Sequence, residues 1–201
     1  MWGKKKRAEA NDDPAPGWDA IGEALRAQGL HDPVHLSTGH LPDQDGAYAL
    51  DAYRTRDGYL LMTLGLSELF GKVSDDPDVS GWGLELTMRV PRDGDEPPQR
   101  ALKLLLKLSE YIYGQGRPLL PGHRMSPGGP ITGSDDTRLT ALAFAQDPVM
   151  GPLRTPNGTV DFVTVVGITE DELERMKRSS TEAVLTELRA ADPLLVTSPA
   201  R

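Results

Sequence analysis

Hydrophobic and polar positions alternate most regularly between residues 80 and 90. There Trp82, Leu84, Leu86, Met88 and Val90 share one face and Gly83, Glu85, Thr87 and Arg89 the other. A period of two with one apolar face predicts a half-buried strand with Trp82 in the core. Nearer the start, Trp18, Ile21 and Leu25 recur at helical spacing. They stop at Gly29, a residue suited to the left-handed conformation that ends helices. A polar segment runs through Asp45, after which the runs 47–54 and 59–65 flank Arg56-Asp57-Gly58, the turn chemistry of a hairpin. The acidic loop 74–78 leads into the 80–90 strand, and charge, glycine and proline over 92–98 end it.

Pro97 and Pro98 suit a first helical turn, where no amide donor is required. Leu102, Leu105, Leu106, Leu108, Ile112 and Tyr113 then give a broad apolar face that Gly114 and Gly116 terminate. Residues 117–136 are rich in proline and glycine and read as a long irregular loop, the kind of segment in which function concentrates. The run 139–145 reads as extended, and 153–155 with 159–168 surrounds Pro156-Asn157-Gly158, a strong hairpin pattern. Thr169-Glu170-Asp171-Glu172 forms a capping box. The helix it opens is expected to reach about Ala190 with Leu173, Met176, Val184 and Leu188 inward, before Asp192-Pro193 stops it and 194–197 adds a last strand. No internal repeat is visible. Strands grouped in hairpins with only three helices do not alternate as βαβ units would. The expectation is an α+β fold with a mixed, largely antiparallel central sheet flanked by about three helices.

Composition narrows the classes. A chain of 201 residues suits one domain. The domain is expected over 17–201 behind a flexible tail, 1–16, whose mixed charges and prolines cannot bury enough apolar area to order it. With 30 acidic against 22 basic residues and a net charge of -8, a surface that tracks nucleic-acid phosphates is not expected. The basic cluster 4–7 is not followed by an apolar run, so it reads as a solvated terminus and not as a secretion signal, and no stretch approaches a membrane span. Zero cysteines exclude a disulfide framework and thiol catalysis, and a cytoplasmic location is expected.

Candidate chemistry is sparse. His31, His35 and His40 lie within ten residues, but Pro33 and Gly39 interrupt any helix that would bring two of them together. Asp43 and Asp45 begin like a calcium loop that lacks its later ligands. The segment 65–69 starts like the nucleophile elbow G-x-S-x-G, yet Leu69 replaces the last glycine, so Ser67 reads as a cap or turn residue. Gly114-Gln115-Gly116 closes a helix instead of opening one and is no phosphate loop. Asn157-Gly158-Thr159 matches a glycosylation sequon but reads better as a turn, and Asp75, Asp76 and Asp78 read as a solvated acidic loop.

Eleven short segments, taken in order, resemble one family. They include Gly17-Trp18-Asp19-Ala20-Ile21, Leu64-Gly65-Leu66-Ser67-Glu68-Leu69-Phe70-Gly71, Ser80-Gly81-Trp82-Gly83-Leu84-Glu85-Leu86-Thr87, Tyr111-Ile112-Tyr113, Pro121-Gly122-His123, Thr155-Pro156-Asn157-Gly158 and Pro193-Leu194-Leu195-Val196-Thr197. Together they resemble the N-terminal domain of the Suppressor of fused family over residues 17–198, in the manner of its bacterial single-domain members.

The resemblance implies a mixed sheet flanked by helices, no catalysis, no cofactor or metal, and a protein partner. Animal members sequester transcription factors by adding an extended peptide as a strand, a mode whose affinity comes from backbone pairing. Bacterial members are associated with toxin systems, which implies an immunity protein that neutralises a cognate toxin. Tyr111 matches an aromatic that contacts the bound peptide in the animal proteins. His123 stands where they carry an acidic peptide-binding residue, and Arg124 beside it further reverses the local sign. The partner-binding candidates are thus Tyr111, His123 and Arg124. The alternative from another class is a hydrolase or metal-dependent enzyme using His31, His35 and His40 with the 117–136 loop.

Overall fold

The computed structural model describes residues 14–133 and 137–200. Residues 1–13 of the expected tail lie outside the described residues, and Pro16 already belongs to the first helix. The elements run α1 (Pro16–Ala27), β1 (Val34–Ser37), β2 (Ala49–Arg54), β3 (Gly58–Leu64), β4 (Val79–Pro91), α2 (Gln99–Gln115), β5 (Arg124–Met125), β6 (Leu139–Gln146), β7 (Leu153–Thr155), β8 (Gly158–Thr169), α3 (Glu170–Arg178) and α4 (Thr181–Ala191). The sheet order is β1-β2-β3-β4-β8-β6-β5, with β7 paired to the start of β8. Every pairing is antiparallel except β4 with β8, which is parallel. The α+β class and the mixed, largely antiparallel sheet agree with the sequence reading.

Helices cover both faces of this sheet. Along β8, Val163 and Val165 pack with Leu102, Leu105, Leu108 and Ile112 of α2. Phe162, just before them, packs with Ile21 and Leu25 of α1, and Val166 and Ile168 pack with Leu173, Met176, Val184 and Leu185 of α3 and α4. Successive strand residues point to opposite faces, so α2 lies on one side and α1, α3 and α4 on the other.

This double cover corrects the half-buried reading of β4. Glu85 and Thr87 are fully buried and Arg89 is nearly so, although their face is polar in sequence. Internal partners make that tolerable. Arg89 donates to both carboxylate oxygens of Asp147, at 2.7 and 2.9 Å, and Thr87 donates to the same carboxylate at 2.7 Å. A period of two reports which side chains are polar and says nothing of whether they meet water or one another. Trp82, expected in the core, is only partly buried and lies edge-on to Tyr113 at 5.4 Å.

Two further corrections concern the C-terminal third. The single helix expected over 170–190 is two, because Ser180 caps α4 by accepting from the Ala183 amide at 3.1 Å and interrupts the α-helical course. The segment 194–197 is no strand. The Asp192 carboxylate accepts from the amides of Leu194 and Val196, and Leu195 takes a left-handed φ of 53°. That segment nevertheless docks on the sheet: the Thr197 amide donates to the Arg89 carbonyl at 2.8 Å, and its hydroxyl accepts from the Gly167 amide at 2.9 Å. The polar segment before β2 contains the edge strand β1, and the 117–136 loop contains β5.

Candidate functional site

At one end of the sheet order, β5 pairs with β6 on one side, Arg124 opposite Ala143 and Met125 opposite Leu142, and has no strand on the other among the described residues. The chain arrives there from the end of α2. Gly116 takes a φ of 62° as the helix C-cap, and the Arg117 amide donates back to the Ile112 carbonyl. Leu119 is buried against the α2 core, whereas Leu120 is 44% exposed. A turn follows in which the His123 amide donates to the Leu120 carbonyl at 3.0 Å and the Leu120 amide donates to His123 Nδ1 at 3.2 Å. Gly122 and His123 are then tied to Phe144 of β6 through backbone hydrogen bonds of 2.8 and 3.0 Å.

Tyr111, His123 and Arg124 all reach solvent. Tyr111 is 43% exposed in the last turns of α2. Met125 packs toward the α2 core, so by strand alternation Arg124 faces the other side, where its Nη1 donates to the Thr181 hydroxyl at the start of α4 at 3.0 Å. No hydrogen bond, ion pair or ring contact joins the three to one another among the described residues. His123 and Arg124 lie at the head of β5, and Tyr111 lies on α2.

Four of the other segments that carry the family resemblance, 17–21, 64–71, 80–87 and 155–158, meet elsewhere, in a buried node at the end of β3. Glu85, which the sequence reading assigned only to a solvent face, is its centre. Its carboxylate accepts from the amides of Gly65 and Ser67 at 2.9 Å each, the Ser67 hydroxyl at 2.7 Å and the Thr63 hydroxyl at 2.6 Å. Burial pushes its pKa up to about 7 against the pull of those donors. Ser67 is thus a buried turn residue and not a nucleophile.

Next to it the Glu68 amide donates to the Ser80 hydroxyl, and the Glu68 carbonyl accepts from the buried Asn157 side chain at 2.8 Å. Burial of the Glu68 carboxyl opposes ionisation. The amides of Ser74 and Val73 and the Lys72 ammonium outweigh that burial and hold its pKa below the usual carboxylate value. Gly17 and Gly81 are required by close approach: an added Cβ would stand 2.1 Å from the Glu68 carbonyl oxygen and 2.7 Å from that of Leu66, respectively. The clue to Glu85 in sequence was a lone acid among apolar neighbours, opposite a turn rich in amides and hydroxyls.

The three histidines do not converge. His35 Nδ1 lies 2.7 Å from Asp51 Oδ1, His40 Nε2 lies 3.3 Å from Glu110 Oε1, and His31 stands on the rim of a cleft beside α1. Among the described residues no group of three His, Cys, Asp or Glu side chains has the arrangement of a metal site, and this does not favour the metal-enzyme alternative. Nor is any described helix long and apolar enough to cross a membrane.

Comparison with known proteins agrees with this arrangement. The sequence model of the Suppressor of fused protein (SUFU) family matches residues 44–201. The Suppressor of fused homologs of Mus musculus and Homo sapiens are each 30% identical over 151 residues, which is 70% of this chain and 31% of those proteins. The chain thus spans about a third of the length of these relatives. The structure superposes on a Sufu-Fu complex with a TM-score of 0.81 at 28% identity, covering 94% of this chain and 91% of that one. On Drosophila Suppressor of Fused the TM-score is 0.80 at 27% identity, covering 94% and 51%. A SUFU homolog from Neisseria gonorrhoeae FA 1090 shares the fold, with a TM-score of 0.59 at 12% identity over 88% of this chain and 90% of that one. The family match over residues 44–201 includes both the Glu85 node and the β5 edge, and the chain belongs to the Suppressor of fused family.

Proposed function

We propose that this chain is a non-enzymatic protein-binding module that captures an extended segment of a protein partner along β5, with Tyr111 on the α2 side and His123 and Arg124 at the head of the strand. The observation that carries this reading is the open edge of β5, with Leu120 exposed in the turn that leads into it. Backbone groups at such an edge supply affinity for an added strand, and the flanking side chains select its sequence. Arg124 bonds only a neutral hydroxyl among the described residues, so its charge is available to an acidic residue of the partner. The similar Sufu structure in complex with Fu supports a protein as the ligand.

The partner we assign is a cognate toxin, neutralised in the cytoplasm by this chain acting as its immunity protein. A net charge of -8 suits a partner that is basic overall. Co-expression with the product of the adjacent gene tests the assignment. Growth rescue and co-purification are expected with the native chain and are lost with Tyr111→Ala combined with Arg124→Glu. A neighbouring gene that encodes no toxin overturns the toxin assignment, and full binding by the folded double variant overturns the β5 surface.

A further inference from the structure

A cleft of about 510 Å3 opens beside α1 on the face of the sheet opposite α2. That volume lies within the roughly 300–1,000 Å3 of small-ligand sites. His35 and Tyr53 line it from the sheet, and Trp18 and Arg26 line it from α1. The guanidinium of Arg26 lies back over Gly22, where even a Cβ would come within 3.3 Å of its Nη1, so the missing side chain at 22 admits this posture. Arg26 enters no ion pair among the described residues. Its charge nevertheless lies within electrostatic reach of the Tyr53 hydroxyl and opposes the rise in pKa that burial and Asp51 impose there.

The dyad behind this wall sets the chemistry of His35. The Asp51 carboxylate is buried and receives Tyr53 Oη on Oδ2 at 3.1 Å and His35 Nδ1 on Oδ1 at 2.7 Å. A buried carboxylate facing Nδ1 places a hydrogen on that nitrogen, which leaves Nε2 as the ring atom available to a ligand and fixes the ring against rotation. Trp18, with its centroid 5.3 Å from that of His35, offers an aromatic surface beside it. Asp19 and Asp32 stand on the rim. They oppose a dianion about twice as strongly as a monoanion at the same position.

We propose that this cleft is a second binding site, for a monocarboxylate carried on a flat apolar body. The carboxylate is held by the Arg26 guanidinium, and the body lies against Trp18 beside the His35 ring. A free aryl acid and the C-terminal carboxylate of a peptide ending in an aromatic residue share this chemistry. The site does not depend on β5.

The test is titration of the 15N-labelled full chain, following the Trp18 indole N–H by NMR. The probes are phenylacetate, inorganic phosphate, and acetyl-glycyl-phenylalanine as free acid and as amide. The expected result is a saturable shift with phenylacetate or the free-acid peptide, weakened roughly tenfold or more by Arg26→Ala, the loss of one charge-assisted hydrogen-bonding partner. Arg26 is exposed, so this variant keeps the fold even where His35→Gln does not. Tyr111→Ala leaves the shift unchanged, which separates this site from the partner edge. Response to the free acid alone identifies a small molecule as the source, and response to the peptide alone identifies a chain terminus. Binding of the amide or of phosphate as tight as that of the carboxylates overturns the proposal, as does no saturable shift with any probe or one indifferent to Arg26→Ala.

Discussion

Two strands of one sheet, β4 and β5, carry polar residues for opposite ends. On β4, Glu85, Thr87 and Arg89 are enclosed, and each is held by partners drawn from distant parts of the chain. On β5 and the turn before it, His123 and Arg124 are exposed, and their side chains bond only Leu120 and Thr181 among the described residues. Buried polar groups without partners cost far more than exposed ones, so the β4 positions are constrained by the fold and the β5 positions are free to serve a ligand. A charged residue in this chain is therefore informative about function only after its burial is known.

Breaking the β4 side produces the largest effects. Asp147→Ala strands the buried Arg89 guanidinium and removes the acceptor for the amides of Val149 and Met150. It is expected to lower unfolding free energy in urea by about 3–5 kcal/mol. Glu85 gives a sharper signature, because its folded pKa of about 7 lies above its ordinary value of 4.5. The native state then binds more protons than the unfolded chain between those two values. Its contribution is fully present below pH 4.5 and is lost as pH rises through 7. Relative to Glu85→Gln, the native protein is expected to lose about 3 kcal/mol of stability across that window, measured by urea unfolding at a series of pH values.

Smaller effects mark the helix ends and the edge. Ser180→Ala removes the side-chain cap of α4 and is expected to cost about 1 kcal/mol, read from the same unfolding curves. Arg124→Ala and Tyr111→Ala each change stability by less than about 0.5 kcal/mol, as exposed positions do. A loss of several kcal/mol at either would make the edge scaffold after all and erase its contrast with β4.

Local chemistry made much of the fold legible. The Pro156-Asn157-Gly158 turn joins β7 to β8, the Thr169 capping box opens α3, and Gly116 closes α2 in the left-handed conformation, each as its residue types dictate. What escaped depends on contacts across the chain. The strand β1 offers one buried residue, Leu36, too few for a period. The break at Ser180 lies in the polar run 177–182, but Met176 and Val184 on either side are eight residues apart and still fit one helical face, which hid the serine available to cap. The residues 194–197 place Leu195 and Thr197 inward like a strand, but Asp192 captures their neighbours' amides in a turn. For the proposed partner surface, the sequence offered Tyr111, His123 and Arg124 as candidates. That Arg124 and Met125 face opposite sides of the sheet was not legible, because strand β5 has only two residues and reads as loop.

The central claim, that an exposed edge on an over-determined scaffold binds the partner, is tested most directly by photo-crosslinking. A photoreactive phenylalanine analogue is placed at position 111, and for comparison at the exposed and remote Asp57, in the full chain mixed with the purified product of the adjacent gene. A single adduct is expected from position 111, disappearing with Arg124→Glu, and none from position 57. Equal adducts from both positions, or an adduct from 111 that persists in Arg124→Glu, would contradict it.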